Sequence, residues 1–209
     1  IDTDHPEFKN KIVKSWDFVA NNSNAEDDQG HGTHVAGTIA GAKDNIGVTG
    51  VAYNAKIMPL DIFYPIWNPY TGAYQWTFQT EALVDAIRYA ADQGADVINM
   101  SLGCPPDSRI YSALKYAESK NVVCVSAAGN SKGSSPSYPA AYATEYGFAV
   151  GADNIYKEIT SFSNKAGSNN QIQYVTAPGE GVYSSILNGN YASWSGTSMA
   201  SPHVAGICA

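Results

Sequence analysis

FQTEALVDAIRYAADQGADVINMSLG, residues 78–103, decides the fold. Leu83, Ala86, Ile87, Ala90 and Ala91 recur at spacings of three and four, which places them on one face of a helix. The spacing predicts a helix over 78–93, ended by Gly94, because glycine enters a left-handed C-terminal cap without steric cost. The run 96–100 follows as a short buried strand. Downstream the alternation repeats. A helix is predicted over 110–120, with Ile110, Ala113, Leu114 and Ala117 on one side, and a strand over 121–126. Further strands are predicted over 147–152 and 171–176, then a helix from Thr197 onward. That helix carries Pro202, tolerable in a first turn or as a kink. Upstream lie a short helix over 32–41, apolar at Val35 and Ile39, and a strand over 56–60. Strands alternating with helices predict an α/β fold of three layers, a mostly parallel central sheet flanked by helices.

Between these elements, 63–74 is different. It holds Tyr64, Trp67, Tyr70 and Tyr74 with Pro65, Pro69 and Gly72. It is expected to be an aromatic surface loop, either a packed Ω-loop or a wall of a substrate cleft. There is no internal repeat and no low-complexity tract.

The chain has 209 residues, which suits one domain or one domain cut short. Hydrophobic residues are 44% and charged residues 15%, enough apolar surface to bury a core rather than stay disordered. The net charge is -7 with only 12 basic residues and no basic cluster, so a nucleic-acid face is excluded as an expectation. No stretch approaches the roughly 18 consecutive apolar residues of a membrane span. Low charge and 14 tyrosines lean towards an extracellular protein. Cys104, Cys124 and Cys208 match no zinc spacing, and an odd count argues against a disulfide scaffold. Cys124, inside Val122-Val123-Cys124-Val125, is expected to be a buried small hydrophobe.

Four segments have the residue types of a reaction centre. His31 stands between two glycines in Gly30-His31-Gly32-Thr33-His34, which leaves its ring open to approach, and no further ligand supports a metal there. Ser198 follows Gly196-Thr197 at a helix onset, where amides and the helix dipole favour developing negative charge. A serine there is equally an N-cap. Asn130 closes Ala127-Ala128-Gly129-Asn130 after a buried strand and can donate to an oxyanion or form a turn. Asn99-Met100-Ser101-Leu102-Gly103 also closes a strand and can offer an edge to an extended peptide. A base, a nucleophile, an oxyanion donor and a peptide edge together point to acyl transfer.

HGTHVAG (31–37), NMSLG (99–103), AAGN (127–130) and GTSMASPHVAG (196–206), in this order, resemble the subtilisin-like serine peptidases, the subtilases, across essentially the whole chain. The resemblance implies a subtilisin-like fold and a serine endopeptidase. His31 would be the catalytic histidine, Ser198 the nucleophile and Asn130 the oxyanion-hole asparagine. Ser101, Leu102 and Gly103 would pair with substrate backbone. Ala127, Ala128, Gly129 and Ser137 would line the primary specificity pocket, with an apolar or aromatic preference before the cut, since no acidic residue falls within 127–139. His34 and His203 would be structural. The partners implied are polypeptide substrates and an inhibitory propeptide. The protein would be a secreted, extracellular zymogen product acting as a monomer, with neither nucleic acid nor membrane as a partner.

The departure from the family lies at the start. The family carries its triad aspartate in Asp-(Ser/Thr)-Gly-(Ile/Val)-Asp-x-x-His-Pro, and Ile1-Asp2-Thr3-Asp4-His5-Pro6 matches from the fourth position onward. The aspartate would then lie three residues before Ile1, and the chain would be an incomplete domain at both ends. A rival alignment makes Asp2 the catalytic residue. With the aspartate truly lost, the alternative is a non-catalytic peptide-binding pseudoprotease. A third option, an enzyme on a small ester or amide, has no need of the edge at 99–103. The segment 42–48 resembles the family's calcium loop, which implies a structural Ca2+ held by Asp44, the carbonyls of Ala42, Ile46 and Val48, and Glu7 after the His-Pro pair.

Overall fold

The computed structural model describes all 209 residues. In chain order its elements are β1 (Trp16–Asp17), α1 (His31–Ala40), β2 (Leu60–Asp61), β3 (Tyr64–Asn68), β4 (Ala73–Thr77), α2 (Thr80–Asp92), β5 (Val97–Met100), α3 (Ser108–Ser119), β6 (Val123–Ala127), β7 (Phe148–Asp153), β8 (Tyr174–Pro178), β9 (Val182–Ile186), β10 (Asn190–Trp194) and α4 (Thr197–Cys208). Strands β5-β6-β7-β8 form a parallel sheet in that order. Adjacent residues of one strand face opposite layers. Cys124 packs with α2 and α3 around Ile87, Ile110 and Leu114. Val125 packs on the other side with Ala200 and Ala205 of α4. The three-layer expectation therefore holds: α2 and α3 cover one face, and α4, with α1 against it, covers the other.

The parallel strands come in two pieces. β1 pairs with β2 in parallel, a register continued by a bridge from Ile12 to Ile57. β2 does not pair with β5. A cavity of about 750 Å³ separates them, lined by Ile57–Phe63 on one side and Asp96–Leu102 on the other. Leu83 and Ile87 of α2 close it from one layer, Val35, Ile39 and Ala205 from the other, and His31 stands at its wall.

The aromatic segment is not an Ω-loop. β3 and β4 form an antiparallel hairpin, Tyr64 opposite Thr77 through Asn68 opposite Ala73. Asn68 Oδ1 accepts the Tyr70 amide at 2.9 Å, Gly72 takes a positive φ of 63°, and Trp67 packs edge-on against Tyr74 at 5.2 Å. Cross-strand aromatic pairing outweighs the local turn signal of the prolines. A second hairpin, β9–β10, turns at Asn188-Gly189, both with positive φ.

Candidate active site

His31 is the first residue of α1 and Ser198 the second of α4, so both stand at the starts of helices that pack on one another. The α1 start is capped from upstream. Asp27 Oδ1 accepts the amides of Gln29 (2.9 Å) and Gly30 (2.7 Å), and Oδ2 accepts the Thr33 amide (2.9 Å) and hydroxyl (2.6 Å). Burial pushes the Asp27 carboxyl up, but these bonds outweigh it and the net shift is downward. All four acceptor directions of Asp27 are filled, so it acts on His31 through charge alone. Burial lowers the His31 imidazole below its ordinary value, and Asp27 opposes this in part. His34, one turn on, is structural as expected. Its Nε2 lies 3.1 Å from both the Val182 and Ala192 carbonyls, and its ring stacks on Trp194.

The surroundings of Ser198 follow from Pro202. Proline at this position of α4 removes the amide that would bond the carbonyl four residues back, that of Ser198. Ser101 Oγ takes up that carbonyl at 2.8 Å. In return Ser198 Oγ donates to the Ser101 carbonyl at 3.3 Å rather than to His31. Asn99 holds the pair in place, with Nδ2 donating to Ser101 Oγ (3.0 Å) and Oδ1 accepting from Ser201 Oγ (2.7 Å). The end of β5 is thereby fixed to the start of α4. Beyond it Ser101, Leu102 and Gly103 have no ladder partner, and Cys104 returns to pair with Tyr138.

Asn130 sits on the opposite side of the α4 start. Its Oδ1 accepts the Thr197 amide (2.8 Å) and hydroxyl (3.0 Å), which turns its NH₂ end outward. Residue 198 is at a helix position whose amide has no intrahelical acceptor. These two donors share one neighbourhood. Ala127 and Ala128 are buried beside them, and Gly129 has a φ of 108°.

A residue that sequence reasoning missed organises this wall. Asn164 is 2% exposed. Its Nδ2 donates to the Ala128 carbonyl and to Ser137 Oγ, both at 3.0 Å. Its Oδ1 accepts from Ser131 N and Oγ and from Gly133 N. A Cβ on Gly129 would lie 2.6 Å from Asn164 Nδ2, so the glycine lets the two segments close.

A model of the family described as Subtilase family matches residues 1–209. The chain belongs to the subtilase family. With the family comes the class: a serine endopeptidase. Thermitase of Thermoactinomyces vulgaris is 40% identical over 209 residues, covering 99% of this chain and 70% of the relative. The major intracellular serine protease of Bacillus subtilis (strain 168) is 38% identical, covering 100% and 64%. Among solved structures, a cold adapted subtilisin-like serine proteinase superposes with a TM-score of 0.83 at 33% identity, covering 99% of this chain and 70% of that one. The chain spans about half of another relative, the thermophilic serine proteinase of Bacillus sp. (strain AK1), at 49% of its length.

In this subtilase the rival alignment finds no support in the geometry. Asp2 Oδ2 accepts the Asn188 amide at 2.7 Å, at the β9–β10 turn, while the Asp2 amide is held by Thr33 Oγ1. Of the residues expected to hold calcium, Glu7 meets both ends of the loop 42–48. Glu7 Oε2 accepts the Ala42 amide and Oε1 the Val48 amide, and Asp44 Oδ1 turns back onto the Ile46 amide. Two amides of the loop 42–48, those of Ala42 and Val48, thus face Glu7. The three cysteines of the subtilase are free thiols, and Cys124 is buried as expected, with burial pushing it up to about 12. No helix is long and apolar enough to cross a membrane.

Proposed function

We propose that this subtilase hydrolyses peptide bonds through an acyl-enzyme on Ser198. An extended substrate pairs with the open edge Ser101–Gly103, its side chain before the scissile bond enters between Ala127, Ala128, Gly129 and Ser137, and its carbonyl carbon meets Ser198 Oγ. His31 takes the hydroxyl proton and returns it to the leaving amine. The outward NH₂ of Asn130 and the Ser198 amide receive the oxyanion. Water then attacks the ester, His31 again acting as base, and the serine is restored. The observation that carries this reading is the Asn130–Thr197 pair, in which the helix start that bears Ser198 holds the Asn130 carbonyl oxygen and so leaves the NH₂ end free for an oxyanion. Small walls favour apolar or aromatic residues before the cut. Export with an inhibitory propeptide, and action as a monomer, belong to the same reading.

His31 also needs an orienting carboxylate, and Asp27 and Asp2 are both engaged elsewhere. We infer that a strand preceding Ile1 fills the cavity between β2 and β5 and brings an acidic residue to His31 from three positions before Ile1. Ile1 supports this, since it packs beside Phe8, Ala36 and Ile57 and lines that cavity with His31. Three extended residues span roughly 10 Å. The pseudoprotease alternative draws on the same observation, a His31 that has no carboxylate bonded to it.

Ser198→Ala in the full-length protein should abolish nearly all hydrolysis of casein and all labelling by a fluorophosphonate probe. Parental hydrolysis by that variant rejects the assignment. A parent that binds peptide but neither cleaves it nor takes the probe establishes the pseudoprotease.

A further inference from the structure

Glu7 is a buried carboxylate with no ion-pair partner. It is 2% exposed, and none of the three salt bridges includes it. Hydrogen bonds satisfy it instead. Oε2 accepts the Ala42 amide at 2.6 Å, and Oε1 accepts the Val48 amide at 2.9 Å and the Tyr191 hydroxyl at 2.8 Å. Ala42 and Val48 are the two ends of the loop that follows α1, so one carboxylate closes it. The loop backbone comes close enough that Gly47, at φ 56°, has no room for a side chain. A Cβ there would lie 2.2 Å from Glu7 Oε1 and 2.1 Å from the Tyr191 hydroxyl oxygen.

A carboxylate offers about four acceptor directions. Three are filled here, both of those on Oε1 among them. Calcium binds oxygens at about 2.3–2.6 Å, and a bidentate Glu7 would have to release the Val48 amide and the tyrosine together. Hydrogens of two amides and one hydroxyl point at the carboxylate, a field that favours an anion at the centre and opposes a cation. The Tyr191 hydroxyl is the donor in its bond to Glu7.

We propose that the Glu7 carboxylate is itself the closing ligand of the 42–48 loop, doing by hydrogen bonds what a bound cation does in the expected ligand set, so that closure of this loop is independent of calcium. This matters for the site because α1 carries His31 at its start and runs into this loop at Gly41. Glu7 and Tyr191 therefore tether the far end of the helix that positions the base. The inference does not rest on the catalytic proposal and holds for an inactive protein as well.

The test is calorimetric melting of the full-length protein in calcium chloride and in EGTA, for the parent, Glu7→Gln, Tyr191→Phe and Asp44→Ala. Glu7→Gln keeps the volume but places an amide NH₂ against backbone N–H donors. It is expected to lower Tm by about 3–8 °C, combining the usual worth of charged hydrogen bonds with the Tm response of a chain this size. The drop should be the same in calcium and in EGTA. Tyr191→Phe, which removes one donor only, should show a smaller drop, again equal in both media, and serves if Glu7→Gln does not fold. Asp44→Ala should respond to calcium as the parent does. The proposal is overturned if calcium stabilises the parent and that response disappears in Asp44→Ala or Glu7→Gln. A Glu7→Gln protein that melts with the parent overturns it too.

Discussion

Asn130 does two jobs with different atoms, and they are separable. Its Oδ1 holds Thr197, and in the proposed reaction its free NH₂ receives the oxyanion. Asn130→Asp keeps the acceptor, removes the donors and sets negative charge where the oxyanion develops. The expected result is a kcat lower by at least ~10²–10³, the scale for an oxyanion donor found in a related enzyme, with Tm close to parental. Asn130→Ala should lose both rate and several degrees of Tm. A kcat for Asn130→Asp within a factor of two of the parent removes the residue from the mechanism. The histidines give a second prediction. Burial depresses His34 and His203 below 6.5, because it penalises the imidazolium, and backbone hydrogen bonds offset this only in part. The unfolded chain then binds protons that the folded chain refuses, so stability is full above pH 6.5 and falls as pH drops below it towards the folded values. Ring-proton NMR titration reads each midpoint, and a midpoint above 6.5 for either ring contradicts this. The proposed site residues His31, Ser198 and Asn130 could be singled out in sequence because each sits in a short contiguous motif. Asn164 was not, because its work is done across 27 to 36 residues of chain, on Ala128 and Ser137, and the polar segment around it has no period to read.

The two ends of β5 and α4 are coupled through a missing helical bond, and that coupling can be measured. Pro202 frees the Ser198 carbonyl and Ser101 Oγ occupies it. Ser101→Ala should lower kcat about three- to tenfold, the worth of one hydrogen bond, with KM nearly unchanged, and Ser101→Thr should restore most of it. Pro202→Ala returns an intrahelical donor to the same carbonyl, so Ser101→Ala should cost less in that background. Strictly additive effects on Tm and kcat would falsify the coupling. The same proline marked α4 in the sequence as a helix with something unusual near its start, without saying what. The long helices were legible because their burial is one-sided: α2 is Thr80–Asp92 against an expected 78–93, and α3 is Ser108–Ser119 against 110–120. Strand ends shifted by up to four residues: β2 is Leu60–Asp61 against an expected 56–60, and β8 is Tyr174–Pro178 against 171–176. Neither hairpin was anticipated. β3–β4 is largely exposed and has Pro65 in a strand, which demotes a strand signal. For β9–β10 the signal was present in Asn188-Gly189, a pair that takes left-handed conformations readily.

At the scale of the whole molecule, the parallel strands fall into two pieces with a gap between, and the gap has the properties of a strand position. Residues 57–61 use one edge to bond Lys11, Val13, Trp16 and Phe18, and β5 uses one edge to bond β6. The other edge of each faces the cavity of about 750 Å³. Unpaired edges lining an apolar space are costly, since each buried backbone group left without a partner gives up the worth of a hydrogen bond. A parallel strand of about five residues, some 17 Å long, would pair with both edges at once. It would be covered by α2 on one face and by α1 and α4 on the other, so it should read as a continuous apolar, β-branched run rather than an alternating one. Its exit lies beside Ile1 and His31, so an acidic residue at its end is placed to orient the imidazole. The sequence of the segment before Ile1 in the full-length gene is the first check. A polar segment, or no acidic residue three positions before Ile1, ends the idea. The second check compares the protein with and without that segment, and with the acidic residue changed to its amide. Adding the segment should raise Tm by well over 10 °C, because several buried residues and two ladders of hydrogen bonds are gained, at about 2–4 °C per kcal/mol. It should also raise kcat/KM by about 10⁴, the usual cost of losing the orienting carboxylate. The amide variant should keep the melting temperature and lose the rate. That split separates the strand's two contributions, one made by its backbone and apolar side chains to the sheet, the other by a single carboxylate to His31.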